Sequence, residues 1–206
     1  MLKLYDSPEC PFCQKTRIVL AEKDLTFETI PVDLAAGEQK SPDFLKLNPF
    51  GTVPVLIDDE VIVYDSTIIN EYLEDEYPHP ELMPSDSAAR ARVRTLEDYA
   101  DNAFIRVTDA IIEELRKPEG ERNADRMGAA RQQIARMLAV LDGSLAGRSW
   151  LVGNFSLADV AFAPRVIVLS ALGVEIDPEW KNLHGWIQRL NQRASIHDLV
   201  GLDRWK

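Results

Sequence analysis

Residues 2–15 read LKLYDSPECPFCQK, and they hold the only two cysteines of the chain, Cys10 and Cys13. Leu2–Tyr5 is a short apolar strand. A helix follows from Pro11 to Lys23, with Ile18, Val19 and Leu20 clustered behind Phe12. Proline suits the first helical position, so Cys10 is the expected N-cap. The unpaired amides and the positive end of the helix dipole there favour thiolate over thiol. Helix N-termini and C-x-x-C spacings commonly bring a cysteine pKa from about 8.5 to between roughly 3.5 and 7.5. Cys10 is therefore the expected nucleophile. Cys13, one turn further in, is the candidate resolving thiol.

Working outward, Thr26–Val32 alternates as a half-buried strand does. Ser41–Leu47 reads as a short helix or turn leading into the loop signal NPFG. Val53–Ile57 and Val61–Tyr64 read as a hairpin around Asp58-Asp59-Glu60, and Ser66–Glu76 as a helix. The order β-α-β, loop, β-β, α is a small α/β sheet with helices on it, covering residues 1–77. Residues 78–87, PHPELMPSDS, hold three prolines and mark a linker. From 88 to 206 the apolar spacing is helical throughout, with stripes through Val93–Ile111, Met127–Leu145 and Trp180–Leu190. Ser156-Leu157-Ala158-Asp159 fits a capping box, with Phe155 and Val160 as its staple. Pro164 lies inside the helix it starts and is expected to bend it.

Composition excludes several classes. The 206 residues are 46% hydrophobic and 28% charged, ordinary for a globular chain. No apolar run approaches bilayer length, and MLKLYDSPE has no apolar core of a signal peptide. The expectation is a cytoplasmic protein, neither inserted in nor bound to a membrane. The histidines, His79, His184 and His197, are scattered, and no second C-x-x-C exists, so no metal site is expected. The formal net charge is −11, and residues 1–84 carry 6 Lys and Arg against 17 Asp and Glu. Such a surface repels phosphates, so direct nucleic-acid binding is not expected.

Two further stretches agree with thiol chemistry. Thr52-Val53-Pro54-Val55 puts a proline at the head of a strand. In thiol-handling α/β domains this is where a cis-proline exposes the preceding backbone, so that Val53 pairs with a peptide-like ligand as an added strand does. The sequence leaves cis and trans open, and an edge-strand proline is the plainer alternative. Tyr64-Asp65-Ser66-Thr67 starts a helix with Ser66 as the expected N-cap. A helix N-terminus binds carboxylates, and Asp65 beside it suits an ammonium group. Together they suit an α-amino acid end.

These residues, with NPFGTVPVL, Asp65-Ser66 before IINEYL, and the SLAD capping box, resemble the cytosolic glutathione transferase superfamily over nearly the whole chain. CPFCQKTRIVL is similar to its Cys-type branches, omega and dehydroascorbate reductase. The resemblance implies a thioredoxin-like domain followed by an all-helical one, glutathione as co-substrate, and Cys10 forming a mixed disulfide with it. It implies glutathione contacts at Phe12, Lys40, Val53-Pro54, Asp65 and Ser66. It implies an acceptor, electrophilic or disulfide, bound between the domains near Tyr99, Asn102 and Phe104, and a homodimer. Cys13 departs from omega, where Ala is usual, and leaves one-thiol and two-thiol turnover open. Tyr5 and Ser7, near the hydroxyl of other branches, read as strand packing and loop. RIVLAEK, EYLEDEYPHPELMP and SLADVAFAP also resemble stringent starvation protein A. That resemblance implies an RNA polymerase-associated adaptor without catalysis, with Pro78-His79-Pro80 on its interaction surface.

Overall fold

Leu2, Leu4 and Asp6 point to one face of the first strand and are buried, while Lys3 and Tyr5 alternate with them. This is the period-2 geometry of a strand with one covered face. The computed structural model describes residues 1–197 and 199. They divide into two compact units, Met1–Glu81 together with Leu199, and Leu82–His197.

The first unit is a four-stranded sheet in the order β2-β1-β3-β4. Strand β1 (Leu2–Asp6) runs parallel to β2 (Phe27–Pro31), which requires a crossover. Helix α1 (Pro11–Glu22) supplies it. Strand β3 (Val55–Asp58) lies antiparallel to β1, pairing Leu56 with Leu4 and Val55 with Tyr5. The tight turn at Asp59, with φ of 50°, returns the chain as β4 (Val61–Tyr64). Between β2 and β3 runs the short helix α2 (Pro42–Leu47), capped by Ser41, whose hydroxyl accepts from Phe44 N–H at 3.3 Å.

Helix α3 (Ser66–Glu76) packs against α1. Ile18, Val19 and Leu20 of α1 and Ile69 and Leu73 of α3 are fully buried. Each such side chain stabilises the unit by about 1.5–3 kcal/mol relative to exposure. The ends of the two helices are joined by Lys23, whose ammonium donates to Glu74 and Tyr77 O at 2.7 Å each and to Pro80 O at 3.0 Å.

The second unit is helical. Asp86 caps α4 (Ser87–Tyr99) by accepting from Ala89 N–H at 2.8 Å. Residues Ala100–Phe104 form a π turn that passes directly into α5 (Ile105–Leu115). Then come α6 (Ala124–Ser144), α7 (Leu157–Val166), α8 (Lys181–Asn191) and α9 (Ala194–His197). Every residue of α7 is buried, which makes it the centre of the unit. Phe162 on α7 meets Phe104 at 5.4 Å and Trp186 at 6.3 Å between ring centroids. The capping box is present as expected at Ser156 and Asp159. Asp159 also accepts from Leu151 N–H at 3.0 Å and Trp186 Nε1–H at 2.8 Å. Leu82 and Met83, in the proline-rich stretch, are buried, and Leu82 O accepts from Leu157 N–H at 2.9 Å. The expected helical domain beyond 197, Leu199 excepted, lies outside the described residues.

Candidate active site

Cys10 is the N-cap of α1 in extended conformation (φ −74°, ψ 120°), with Pro11 at the first helical position, as the sequence predicts. Its side chain does not cap the helix. The turn before it is closed by Cys10 N–H donating to Ser7 O at 3.0 Å. Cys13 is fully buried, and Ser7 N–H lies 3.5 Å from its Sγ. Burial pushes the Cys13 thiol far up, and its hydrogen bond with Cys10 and the nearby Asp6 carboxyl push it further. Cys13 is thus held as a neutral thiol beside Cys10.

Cys13 and Val53 share one apolar cluster with Val32, Phe44 and Val55, and Cys10, Tyr5 and Tyr64 pack against it. The structure therefore brings Cys10, Cys13 and Val53 together, although Val53 lies far along the chain from both thiols. The Val53–Pro54 peptide is cis. The strand starts at Val55, two residues later than the sequence suggests, so Val53 is outside the β3 ladder. Tyr5 makes an edge contact with Phe44 at 5.9 Å, the strand packing expected of it. Phe12, in the first turn of α1, is half-buried, with Lys15 Nζ 5.9 Å from its ring centroid.

The start of α3 corrects one expectation. The N-cap is Asp65, not Ser66. Asp65 takes a left-handed φ of 73°, and its Oδ1 accepts from Thr67 N–H at 2.9 Å and Ile68 N–H at 3.4 Å. A carboxylate is an acceptor for two amides at once and complements the dipole. Ser66 becomes the first helical residue, buried beneath the turn.

Lys40 sits in a short 3-10 turn, Glu38–Lys40. Its ammonium donates to Phe50 O at 3.1 Å and Gly51 O at 2.8 Å, which ties it to the NPFG loop. An ammonium carries three hydrogens, so these two bonds leave it further donor capacity. Asn48, fully buried, organises the same loop. Its amide donates to Thr52 O at 2.8 Å and Oγ1 at 3.0 Å and accepts from Phe50 N–H at 3.0 Å. The sequence places Asn48 at the head of the NPFG loop signal but does not show that its side chain organises the loop.

The residues expected to line the acceptor site belong to the second unit. Tyr99 is half-buried at the end of α4, and burial pushes its hydroxyl pKa up. Asn102, exposed in the π turn, donates to Asp98 at 2.7 Å and accepts from Arg106 at 3.3 Å. Phe104 does not line a surface: it is 0% exposed, and its ring is packed into the aromatic core on Phe162. The resemblance that implies all three cannot separate a core position from an accessible one beside it. Among the described residues no three His, Cys, Asp or Glu side chains converge as a metal site, and no helix is long and apolar enough to cross a membrane.

A family model of the glutathione S-transferase N-terminal domain matches residues 9–76, and one of the C-terminal domain matches residues 99–194. The chain belongs to the glutathione S-transferase family. It is 31% identical over 203 residues to the stringent starvation protein A homolog of Pasteurella multocida, covering 98% of this chain and 91% of that protein. It is 30% identical over 204 residues to the glutathione S-transferase GstB of Escherichia coli K12, covering 97% and 98%. A glutathione S-transferase from Rhodospirillum rubrum F11 superposes with a TM-score of 0.84 at 29% identity, covering 97% of this chain and 91% of that one. The thioredoxin-like unit and the helical unit are the two halves of this family's fold, as the sequence predicts. The relatives include both glutathione transferases and stringent starvation protein A homologs.

Proposed function

We propose that the protein is a glutathione-dependent thiol transferase of the Cys type, a thioltransferase or dehydroascorbate-reductase-like enzyme, with Cys10 as its nucleophile. The observation that carries this reading is Cys10 at the N-cap of α1, packed against the cluster that holds Val53. Anion-favouring amides at a helix start are suited to a thiolate. Glutathione lies along Val53-Pro54, with its γ-glutamyl end at Asp65 and Ser66, its glycyl carboxylate at Lys40, and Phe12 beside its sulfur. The Cys10 thiolate attacks a mixed disulfide of glutathione, forms the Cys10–glutathione disulfide and releases the partner thiol or thiolate. Asp65 serves an ammonium group with the carboxylate capacity left after capping, since only Oδ1 takes the cap bonds. The acceptor is assigned to the surface that carries Tyr99 and Asn102, where the helix passes through the π turn, a feature that recurs at functional sites. A homodimer accounts for the exposed Phe50, Val61, Ile62 and Ile68 of the first unit.

The test is glutathione-dependent reduction of a small mixed disulfide by wild type and Cys10→Ala. Wild type turns over, and Cys10→Ala loses at least about a hundredfold, the lower range for removal of a group central to the chemical step. Equal rates in the two proteins would overturn the assignment.

The likeness to the Pasteurella protein over 98% of the chain favours a second reading, an adaptor that associates with RNA polymerase. An adaptor predicts no turnover and no glutathione binding, together with capture of purified polymerase. The enzyme reading predicts the reverse. Site chemistry outweighs fold analogy here, because the thiol, the loop lysine and the α3 cap are all in place.

A further inference from the structure

Asp6 ends β1 on its buried face and is 2% exposed. Its Oδ2 meets Arg17 Nη1 at 3.4 Å. Its Oδ1 is buried and makes no hydrogen bond among the described residues. An ion pair that served packing alone has no need of an orphaned oxygen, which is a destabilising feature. The carboxyl instead faces the Cys13 thiol, and each perturbs the other. The charged and titratable groups around it come from α1: Arg17, Cys13 and, through Cys13, Cys10. On the strand side, Asp6 pairs with Pro31 and its carbonyl accepts from Val32 N–H, and neither side chain titrates.

Cys13 poses the complementary problem. A fully buried thiol next to another sulfur is well placed to attack it, but its proton has no path to water. We infer that Asp6 is the internal proton acceptor of Cys13, and that the pair makes Cys13 the resolving thiol of a two-cysteine cycle. This rests on the Cys10–glutathione disulfide proposed above. In the step, Cys13 Sγ attacks Cys10 Sγ and its proton passes to the Asp6 carboxylate. The Cys10–Cys13 bond forms, the bond from Cys10 to the glutathione sulfur breaks, and glutathione leaves as the thiolate with the electron pair. Cys13 is oxidised from thiol to disulfide, Cys10 stays at the disulfide level, and the glutathione sulfur is reduced to thiolate. Two further glutathione molecules reopen the internal disulfide, and Asp6 returns the proton to Cys13.

Burial raises the Asp6 pKa, and Arg17, the Cys13 thiol and the Ser7 backbone lower it in part. A raised carboxylate is a stronger base than an exposed one, which suits it to the transfer.

The experiment follows release of glutathione from the preformed Cys10 mixed disulfide. Wild type, Asp6→Asn and Cys13→Ser are mixed with oxidised glutathione, freed of excess, and sampled by intact mass across pH. Wild type loses the adduct and ends as the internal disulfide. Cys13→Ser keeps the adduct. Asp6→Asn, nearly isosteric, releases it about a hundredfold more slowly at neutral pH, within the usual range for a lost general base, and its rate climbs towards alkaline pH as the thiol ionises unaided. In wild type the rate instead rises with Asp6 ionisation, followed by its carboxyl carbon resonance, and is flat above it. This profile needs no variant to fold, and a structural carboxylate would not produce it. Release from Asp6→Asn at the wild-type rate and pH profile would overturn the proton acceptor, as would a wild-type rate that ignores Asp6 ionisation. A stable adduct in wild type would overturn the resolving role of Cys13. Absence of any adduct on Cys10 would instead remove the thiol-transfer reading on which this inference stands.

Discussion

A methyl group added at Gly51 would lie 2.8 Å from the Gln39 carbonyl oxygen and 2.8 Å from Lys40 Nζ, on a backbone with φ of +61°. Only glycine takes that conformation without strain, and here it also lets the Lys40 ammonium reach the loop carbonyls. Gly51→Ala is therefore predicted to weaken glutathione binding by displacing Lys40, and to cost about 1–3 kcal/mol of stability, the scale of a strained backbone position. Calorimetric titration with an S-alkylated glutathione and urea unfolding measure the two effects; unchanged affinity would detach Lys40 from the site. At this scale the sequence was partly legible. Cys10 as an N-cap followed from Pro11 and the strand before it. Asp6 did not, because the strand was read as ending at Tyr5. One more step of the alternation from Leu2 and Leu4 places Asp6 on the buried face. Ser66 was read as the cap because serine and aspartate have nearly equal cap preference. The left-handed turn at Asp65 decided between them, and local composition does not encode it.

Among the elements, α7 depends most on a single polar residue. Asp159 holds Ser156 N–H and hydroxyl, Leu151 N–H and Trp186 Nε1–H. Burial pushes its pKa up to about 6, and these hydrogen bonds oppose the rise. Unfolded, it titrates near about 3.9. The folded state thus keeps a proton that the unfolded chain has lost between the two values. The contribution of Asp159 to stability is fully present below pH about 4 and is lost as pH rises through about 6, a change of about 3 kcal/mol at 1.36 kcal/mol per unit. Asp159→Asn cannot titrate, so the difference in unfolding free energy between wild type and variant should vary over that pH window. Urea unfolding at several pH values reads it, and parallel profiles would refute the assignment. The capping box was legible in SLAD because it is a local pattern. The bond to Trp186, twenty-seven positions away, was not, because it exists only once α8 is packed. Likewise Leu82 and Met83, amid prolines that signal a linker, are buried through contacts that composition cannot report.

Across the molecule, the order of strands and helices was readable because each element carries its own period and punctuation. The sheet order β2-β1-β3-β4 was not, since pairing is set by long-range burial. The same limit applies to assembly. Phe50, 71% exposed, stands in the loop with Tyr64 5.9 Å away, and Ile68 is also exposed. If these residues form the proposed homodimer face, Phe50→Ser shifts the protein towards monomer in sedimentation velocity, and its unfolding midpoint no longer rises with protein concentration. An unshifted profile would place the interface elsewhere.

The proposed chemistry begins with a covalent bond between Cys10 and glutathione. The most direct measurement is the intact mass of Cys13→Ser after brief exposure to oxidised glutathione, with peptide mapping, beside the Cys10→Ala/Cys13→Ser double variant. One glutathione per chain is expected, on Cys10, and none on the double variant. A Cys10 that stays unmodified would contradict that chemistry.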